Sequence, residues 1–138
     1  MGFLFNDNKE IEDKVFESFD DRENYLLTIK NDSNAKSFAK LLLSNIFNTF
    51  DSNRTFILYF SSKGIYEKEI SSSIKGDFTL IPWHEVESFR IEKKDKQAFI
   101  YFNHIGKKMS YEAPFDGKLF KKNKDKFKIL EDRNWNKI

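Results

Sequence analysis

Hydrophobic positions recur with a helical period in two segments of the first third of the chain. Over residues 9–20, the apolar side chains of Ile11, Val15, Phe16 and Phe19 fall on one face, which predicts a short amphipathic helix. Residues 31–33 are good helix N-caps, and the apolar stripe that follows predicts a longer helix over 34–50. The segment between them, residues 25–29, leans towards a strand, but its type is ambiguous.

From Arg54 onward the period changes to two, which is typical of strands. In the first of these, Phe56, Leu58 and Phe60 point one way and the intervening side chains point the other. A polar turn with Gly64 follows, since glycine readily takes a positive φ. The pattern predicts six short strands, at residues 54–60, 65–70, 77–81 (ending before Pro82), 86–91, 97–103 and 107–112.

The segment after the strands, about residues 119–135, predicts a helix that contacts the core through Phe120, Phe127, Leu130 and Trp135. The predicted class is therefore α+β, with six to seven strands. A sheet this rich in aromatic residues is expected to curl into a partly open barrel, with the last helix closing one end. The 138 residues show no repeat and no linker, so we expect a single domain, with 1–53 as an N-terminal helical elaboration and 54–134 as sheet plus capping helix.

The composition narrows the range of functions. The chain has 16 Phe, 5 Tyr and 2 Trp, which predicts an aromatic core. It has no cysteine, which excludes disulfides, thiolate catalysis and cysteine-ligated zinc. The first residues lack a basic signal region, and no apolar run is long enough to cross a membrane, so we expect a cytoplasmic location.

Charge is distributed unevenly although the net charge is only +2. Residues 1–24 carry three basic and eight acidic groups, a sum of −5, whereas residues 117–138 carry eight basic and three acidic groups, a sum of +5. One interpretation is a partner-binding end, and the other is that the two ends attract each other within the fold.

Residues 54–134 resemble a bacterial pleckstrin-homology-like (PH-like) domain. The resemblance rests on the hairpin from Arg54 to Tyr66, on the segment from Leu80 to Phe89 (LIPWHEVESF), on Gln97–Phe102, on Gly106-Lys107 and on the final helix. It implies a non-catalytic scaffold that binds peptides, proteins or lipids, or that assembles with itself.

The first hairpin departs from the lipid-binding members of that family. It offers Lys63 and Lys68 with Glu67 and Glu69 close by, rather than the basic set that binds phosphoinositides. The resemblance therefore does not imply that this chain binds a lipid head group.

Candidate chemical sites are few. The sequence Trp83-His84-Glu85-x-Glu87 is the densest, and His84 with Glu85 or Glu87 could serve as metal ligands or as base and orienting group. On a strand, however, His84 and Glu85 would point to opposite faces, so the structural interpretation is favoured, with Trp83 as an anchor. His104 is expected to be a solvated turn residue.

One further pattern carries no predicted chemistry. The acidic run Asp20-Asp21-x-Glu23 lacks the spacing of a calcium loop and is read as a solvated helix end. No catalytic residue, metal or cofactor is predicted.

The basic tail is the one candidate binding segment. Lysines interleaved with Phe120 and Phe127 can bind an anionic membrane surface or nucleic acid. The alternative is a solvated helix whose aromatic side chains face the core. Six lysines and a pI near 8.6 fall short of the domain-wide basic surface expected of a nucleic-acid binder. The candidate residues are Lys118, Lys121, Lys122, Lys124, Lys126 and Lys128.

We therefore predict a non-catalytic binding or scaffold module of a bacterial-type cytoplasm. Its partner is another protein or a second copy in a homo-oligomer, and one variant is an antagonist or immunity-type protein that blocks its target. The alternative is peripheral binding to an anionic membrane, or less readily to nucleic acid, through the basic tail. No small-molecule substrate is predicted.

Overall fold

The structure is a computed structural model that describes residues 8–30, 54–70, 76–117 and 120–137. The helix predicted over 34–50 lies outside the described residues. The elements are α1 (Asn8–Phe19), β1 (Tyr25–Lys30), β2 (Arg54–Phe60), β3 (Gly64–Glu69), β4 (Thr79–Pro82), a 3₁₀ turn (Trp83–Glu85), β5 (Val86–Lys93), β6 (Gln97–His104), β7 (Lys107–Pro114), α2 (Asn123–Asp132) and a final turn (Asn134–Asn136).

The seven strands form one curved antiparallel sheet in the order β4-β3-β2-β1-β7-β6-β5, which is not closed into a barrel. The α+β class, the curled sheet and the C-terminal helix are thus confirmed. The two edge strands, β4 and β5, follow each other in the chain and are joined only by the 3₁₀ turn. The sheet must therefore curl far enough to bring its opposite edges together at that turn.

Side chains alternate between the two faces of the sheet, as the period of two predicts. Phe56, Leu58 and Phe60 join a cluster that collects residues from all seven strands and from α2, so this face is the inside of the curl. Ile57 and Tyr59 join a second cluster, which packs α1 against β1, β2 and β3 on the outside. The strand β1 is buried on both faces, and such a continuous apolar run lacks the alternation that would have identified it.

Gly64 sets the geometry of the β3–β4 edge. Its φ is +153°, and a Cβ atom built on it would lie 2.2 Å from the carbonyl oxygen of Ile81. Gly64 pairs with Pro82, which is the last residue of β4 rather than the first residue beyond it. Proline is tolerated there because an edge strand has one side without a ladder.

Asn123 joins the two halves of the sheet. The strands β1 and β7 pair only through Ile29 with Glu112 and Lys30 with Tyr111. Beyond these pairs, the buried Asn123 amide accepts a hydrogen bond from the Leu27 N–H at 3.0 Å. The same amide donates to the carbonyls of Leu27 at 2.8 Å and Pro114 at 2.7 Å. One side chain thus continues the ladder where the strands diverge.

The β6–β7 hairpin turns through Ile105 and Gly106, both with positive φ (50° and 79°). This is the geometry of a two-residue type I′ turn, which favours Asn-Gly. Ile105 is β-branched and 75% exposed, so its left-handed backbone gains little from packing.

Replacing Ile105 with asparagine is expected to raise the free energy of unfolding by about 1 kcal/mol, because asparagine tolerates this conformation. Urea denaturation measures the change. Ile105→Val is the matched control, since valine keeps the branched side chain and should give no gain. An equal gain in both variants would show that exposure of the apolar group, rather than backbone strain, is responsible.

Neither helix in the described part of the chain is long and apolar enough to cross a membrane.

Candidate functional site

The acidic N-terminal and basic C-terminal segments contact each other. Lys122 Nζ lies 3.4 Å from Glu12, and Arg133 lies 3.2 Å from Glu23. Lys126 Nζ donates to the carbonyl of Arg22 at 2.6 Å. These contacts support the interpretation that the two ends attract each other within the fold.

The predicted lysine set is divided by this arrangement. Lys118 lies outside the described residues. Lys126 is buried against the Tyr25 ring, 4.5 Å from its centroid, and burial lowers the pKa of its ammonium. Lys122 is exposed but paired with Glu12. The three that remain exposed, without such a contact to the described residues of the N-terminal segment, are Lys121, Lys124 and Lys128.

The histidines and Glu85 form a small cluster between two turns. Residues 83–85 form a 3₁₀ turn rather than a strand, so the expectation that His84 and Glu85 diverge is wrong: their side chains approach to 3.8 Å. Glu85 also contacts His104 Nε2 at 2.9 Å, and His104 is half-buried instead of being a solvated turn residue. The contact ties the β4–β5 connection to the β6–β7 hairpin.

Among the described residues, the same cluster has neither the contact between His84 and Glu87 expected of a catalytic pair nor a set of metal ligands. His84 is exposed, and neither a hydrogen bond nor an ion pair joins it to Glu87 there. No group of three or more His, Asp or Glu side chains in the described ranges is placed to hold a metal ion.

Asp21 is a structural residue, not part of a merely solvated helix end. Its carboxylate accepts hydrogen bonds from the backbone of Glu23 and Asn24, from the Asn24 amide and from the Tyr59 hydroxyl at 2.9 Å. Burial by itself raises the pKa of Asp21, but these hydrogen bonds outweigh it and the pKa is lowered. The carboxylate therefore holds the turn that precedes β1 against the neighbouring strand β2.

Glu67 points into the curl and not towards the lysines of the first hairpin. It pairs with the buried Lys30 at 3.0 Å and accepts a hydrogen bond from the Tyr111 hydroxyl. Lys30 in turn lies 5.0 Å from the Phe56 ring centroid. This cluster is enclosed by the sheet and is a structural feature of the core.

An open groove of about 430 Å³ lies where the two edges of the sheet approach each other. Trp83 lines it and is held by its indole N–H, which donates to the Ser61 carbonyl at 2.7 Å, and by its backbone N–H, which donates to the Lys63 carbonyl at 3.1 Å. The expectation that Trp83 anchors the sheet is confirmed. The lining residues are Ser62, Trp83, Val86, Ser88, Phe89 and Lys137.

The strand β5 borders this groove and forms a free edge of the sheet among the described strands. Its hairpin with β6 closes through the hydrogen bond from Lys94 N–H to Gln97 O, and in antiparallel pairs hydrogen-bonded and non-hydrogen-bonded positions alternate. Ile91 and Lys93 are therefore non-hydrogen-bonded positions, and their N–H and C=O groups point away from β6. A bulge with Ser88 at φ 57° bends the same strand beside the groove.

The C-terminal segment 134–137 crosses to the other side of the groove. Asn134, Trp135 and Asn136 take successive left-handed conformations, with φ of 52°, 58° and 59°. Such a turn is costly for residues with side chains. Burial of Trp135 and the hydrogen bond from the Asn136 amide to the Phe60 carbonyl at 2.9 Å hold it in place.

Sequence reasoning did not find this groove. Its lining comes from the β2–β3 turn, the β4–β5 connection, β5 and the chain end, which are brought together only by the curl of the sheet. The one available signal was the aromatic spacing of Trp83 and Phe89 within the segment that carries the PH-like resemblance. Comparisons with protein-family models, with curated proteins and with solved structures found no match to this chain, so the PH-like resemblance stays a prediction.

Proposed function

We propose that this chain is a non-catalytic protein-binding module whose partner adds an extended segment to the free edge of β5. The observation that carries the proposal is the juxtaposition of that edge with an open groove lined by aromatic side chains. A strand edge supplies backbone donors and acceptors for affinity, and pockets beside it select alternate side chains of the incoming strand.

The strand β5 is the better of the two edges for this purpose. It has eight residues, whereas β4 has four and ends in Pro82, which has no N–H to offer. Outward N–H and C=O groups at Ile91 and Lys93 provide two donor–acceptor sets on one side of β5. Its exposed charged residues, Glu87, Arg90, Glu92 and Lys93, are of the kind that discourages indiscriminate edge pairing. We therefore propose a different protein as the partner, with self-assembly as an outcome of the test.

The alternative, peripheral binding through the basic tail, has less support. An electrostatic surface needs several free cations on one face. Of the five candidate lysines that the structure describes, Lys122 is paired with Glu12 and Lys126 is buried, which leaves three exposed and unpaired with the described N-terminal segment. A cytoplasmic antagonist that blocks its target through β5 is a special case of the proposed function, and the identity of the captured partner would distinguish it.

The test compares Lys93→Pro with Lys93→Ala. Both remove the same side chain, but only proline removes the outward N–H, and proline is tolerated on an edge whose N–H faces outward. We expect a partner captured from lysate of the native host to be retained by the wild type and by Lys93→Ala, and to be lost at least about tenfold from Lys93→Pro.

Light scattering over a range of concentrations tests self-assembly. If copies of the chain pair through β5, Lys93→Ala should assemble as the wild type does and Lys93→Pro should not. Circular dichroism confirms that both variants are folded. Equal retention of the partner by the proline and alanine variants would rule out pairing at β5. A strictly monomeric protein that captures no partner would rule out the binding function itself.

A further inference from the structure

The groove beside β5 already contains a cation that belongs to the chain itself. Lys137 Nζ lies 4.7 Å from the centroid of the Phe89 ring and 5.9 Å from that of Trp83. The two rings meet edge to face, 5.5 Å apart at 89°, so the ammonium is near both. Positive groups within about 6 Å of an aromatic centroid are attracted by the ring quadrupole, most strongly for tryptophan.

No carboxylate among the described residues pairs with Lys137. Within the described residues, its ammonium therefore contacts the two rings and no anion. The residues before it place it there, because the left-handed turn and the Asn136 hydrogen bonds to Phe60 and Asn24 fix the direction of the chain end.

We infer that Trp83 and Phe89 form a subsite for a cationic side chain of the partner segment, with arginine as the preferred residue, and that Lys137 occupies it until the partner binds. This inference rests on the proposed strand addition at β5. Side chains on the groove side of an added strand recur about every 6.8 Å, so one of them can fall on the two rings while its backbone follows β5.

The chemistry of the subsite favours arginine over the resident lysine. A guanidinium is planar, stacks on aromatic faces and is more weakly hydrated than an ammonium, so it loses less on leaving water. It also needs hydrogen-bond acceptors for its five N–H groups. The hydroxyls of Ser62 and Ser88, both exposed on the groove lining, can supply them.

The test is a titration of the full chain with two synthetic peptides at millimolar concentration. Nitrogen–proton correlation spectra of the chain are recorded at each step. The first is an acetylated and amidated Thr-Val-Arg-Val-Thr, and the second has citrulline in place of arginine. Citrulline has the same shape but no charge, so the pair isolates the cation. We expect the arginine peptide to shift the Trp83 indole N–H and the β5 amides, and to bind about fivefold more tightly than the citrulline peptide.

Two variants test the role of the resident lysine. Lys137→Ala should tighten binding of the arginine peptide about fivefold and leave the citrulline peptide unchanged, because a competitor for the rings is removed. Phe89→Leu should reduce the preference for arginine, because only the Trp83 ring remains, while retaining binding to β5. Lys9→Ala, on α1 at the opposite face of the sheet, is the matched control and should match the wild type.

The outcomes separate this inference from the function on which it rests. If both peptides shift the β5 amides equally and Lys137→Ala changes neither affinity, strand addition stands and the arginine subsite is wrong. If only the Trp83 indole responds, and only to arginine, the subsite stands and strand addition is wrong. If neither peptide shifts any groove resonance in the wild type or in Lys137→Ala, both are overturned.

Discussion

Replacing Asn123 with leucine is expected to lower the free energy of unfolding by about 4 kcal/mol, since each buried backbone group left without a partner costs about 1–3 kcal/mol. Leucine fills a similar volume but cannot bond to the Leu27 N–H, the Leu27 carbonyl or the Pro114 carbonyl, all three of which the Asn123 amide satisfies. Against a typical domain stability of about 5–15 kcal/mol, this loss approaches the limit for folding.

A second variant, Asn123→Asp, tests the direction of the hydrogen bonds. The carboxylate can still accept from Leu27 N–H, but it places an oxygen against the two carbonyls to which the amide nitrogen donates. We expect a similar or larger loss at neutral pH and a partial recovery in acid, where a protonated carboxyl can donate to one of the carbonyls. The exposed Lys124→Leu, in the same helical turn, is the control for added apolar surface and should change stability little.

Urea denaturation measures the stabilities, and hydrogen exchange locates the damage. Because β1 and β7 share only two residue pairs, loss of Asn123 should speed exchange first at the amides next to this junction. A uniform change across the sheet, or a loss no greater than that in Lys124→Leu, would contradict the assigned role. The groove spans both halves of the sheet, so separation at this junction should also weaken the binding proposed at β5.

The strands that alternate most regularly were the easiest to predict. In β2 one set of side chains enters the core inside the curl and the other packs under α1, so each position has one environment and the period of two is clear. The strand β1 was ambiguous because Leu26 and Leu27 are both buried, on opposite faces of a central strand. Periodicity reports a difference between faces, and β1 has none.

The groove could not be predicted because it depends on a topological fact that no local pattern contains. Only after β4 and β5 are known to be opposite edges does the connection through Trp83 become a place where the sheet nearly closes. Lys137 illustrates the same limit. In the sequence it is one of eight basic groups in a tail, whereas in the fold a left-handed turn directs it to two aromatic rings. The contacts of Lys122 and Lys126 show the converse limit, since their partners lie about a hundred residues earlier in the chain.

Glu112 on β7 is expected to make the protein less stable as the pH rises from about 4.5 to 7. Its side chain is 1% exposed, and one of its carboxylate oxygens has no hydrogen-bond partner. Burial raises the pKa of this carboxyl from 4.5 to about 7. Because the folded pKa lies above the unfolded one, the penalty is absent below pH 4.5, grows as the unfolded chain ionises first, and levels off above pH 7.

Glu112→Gln removes the charge at nearly constant shape and should therefore remove this part of the pH dependence. We expect the glutamine variant to be up to about 3 kcal/mol more stable than the wild type at pH 8, and close to it at pH 4.5. Glu131→Gln, an exposed position on α2, should follow the wild type at both values. The lowered pKa of Asp21 changes the stability only below its ordinary pKa of 3.8, which lies outside this pH range.

Urea denaturation of the three proteins across this range isolates Glu112, because every other titrating group is common to the wild type and the Glu112→Gln variant. A stability difference between them that stays constant with pH would show that the Glu112 carboxyl has the same pKa in the folded and unfolded chains. The buried site would then have to supply a partner for the charge. A difference that grows from pH 4.5 to 7 means that the sheet tolerates Glu112 chiefly in its neutral form.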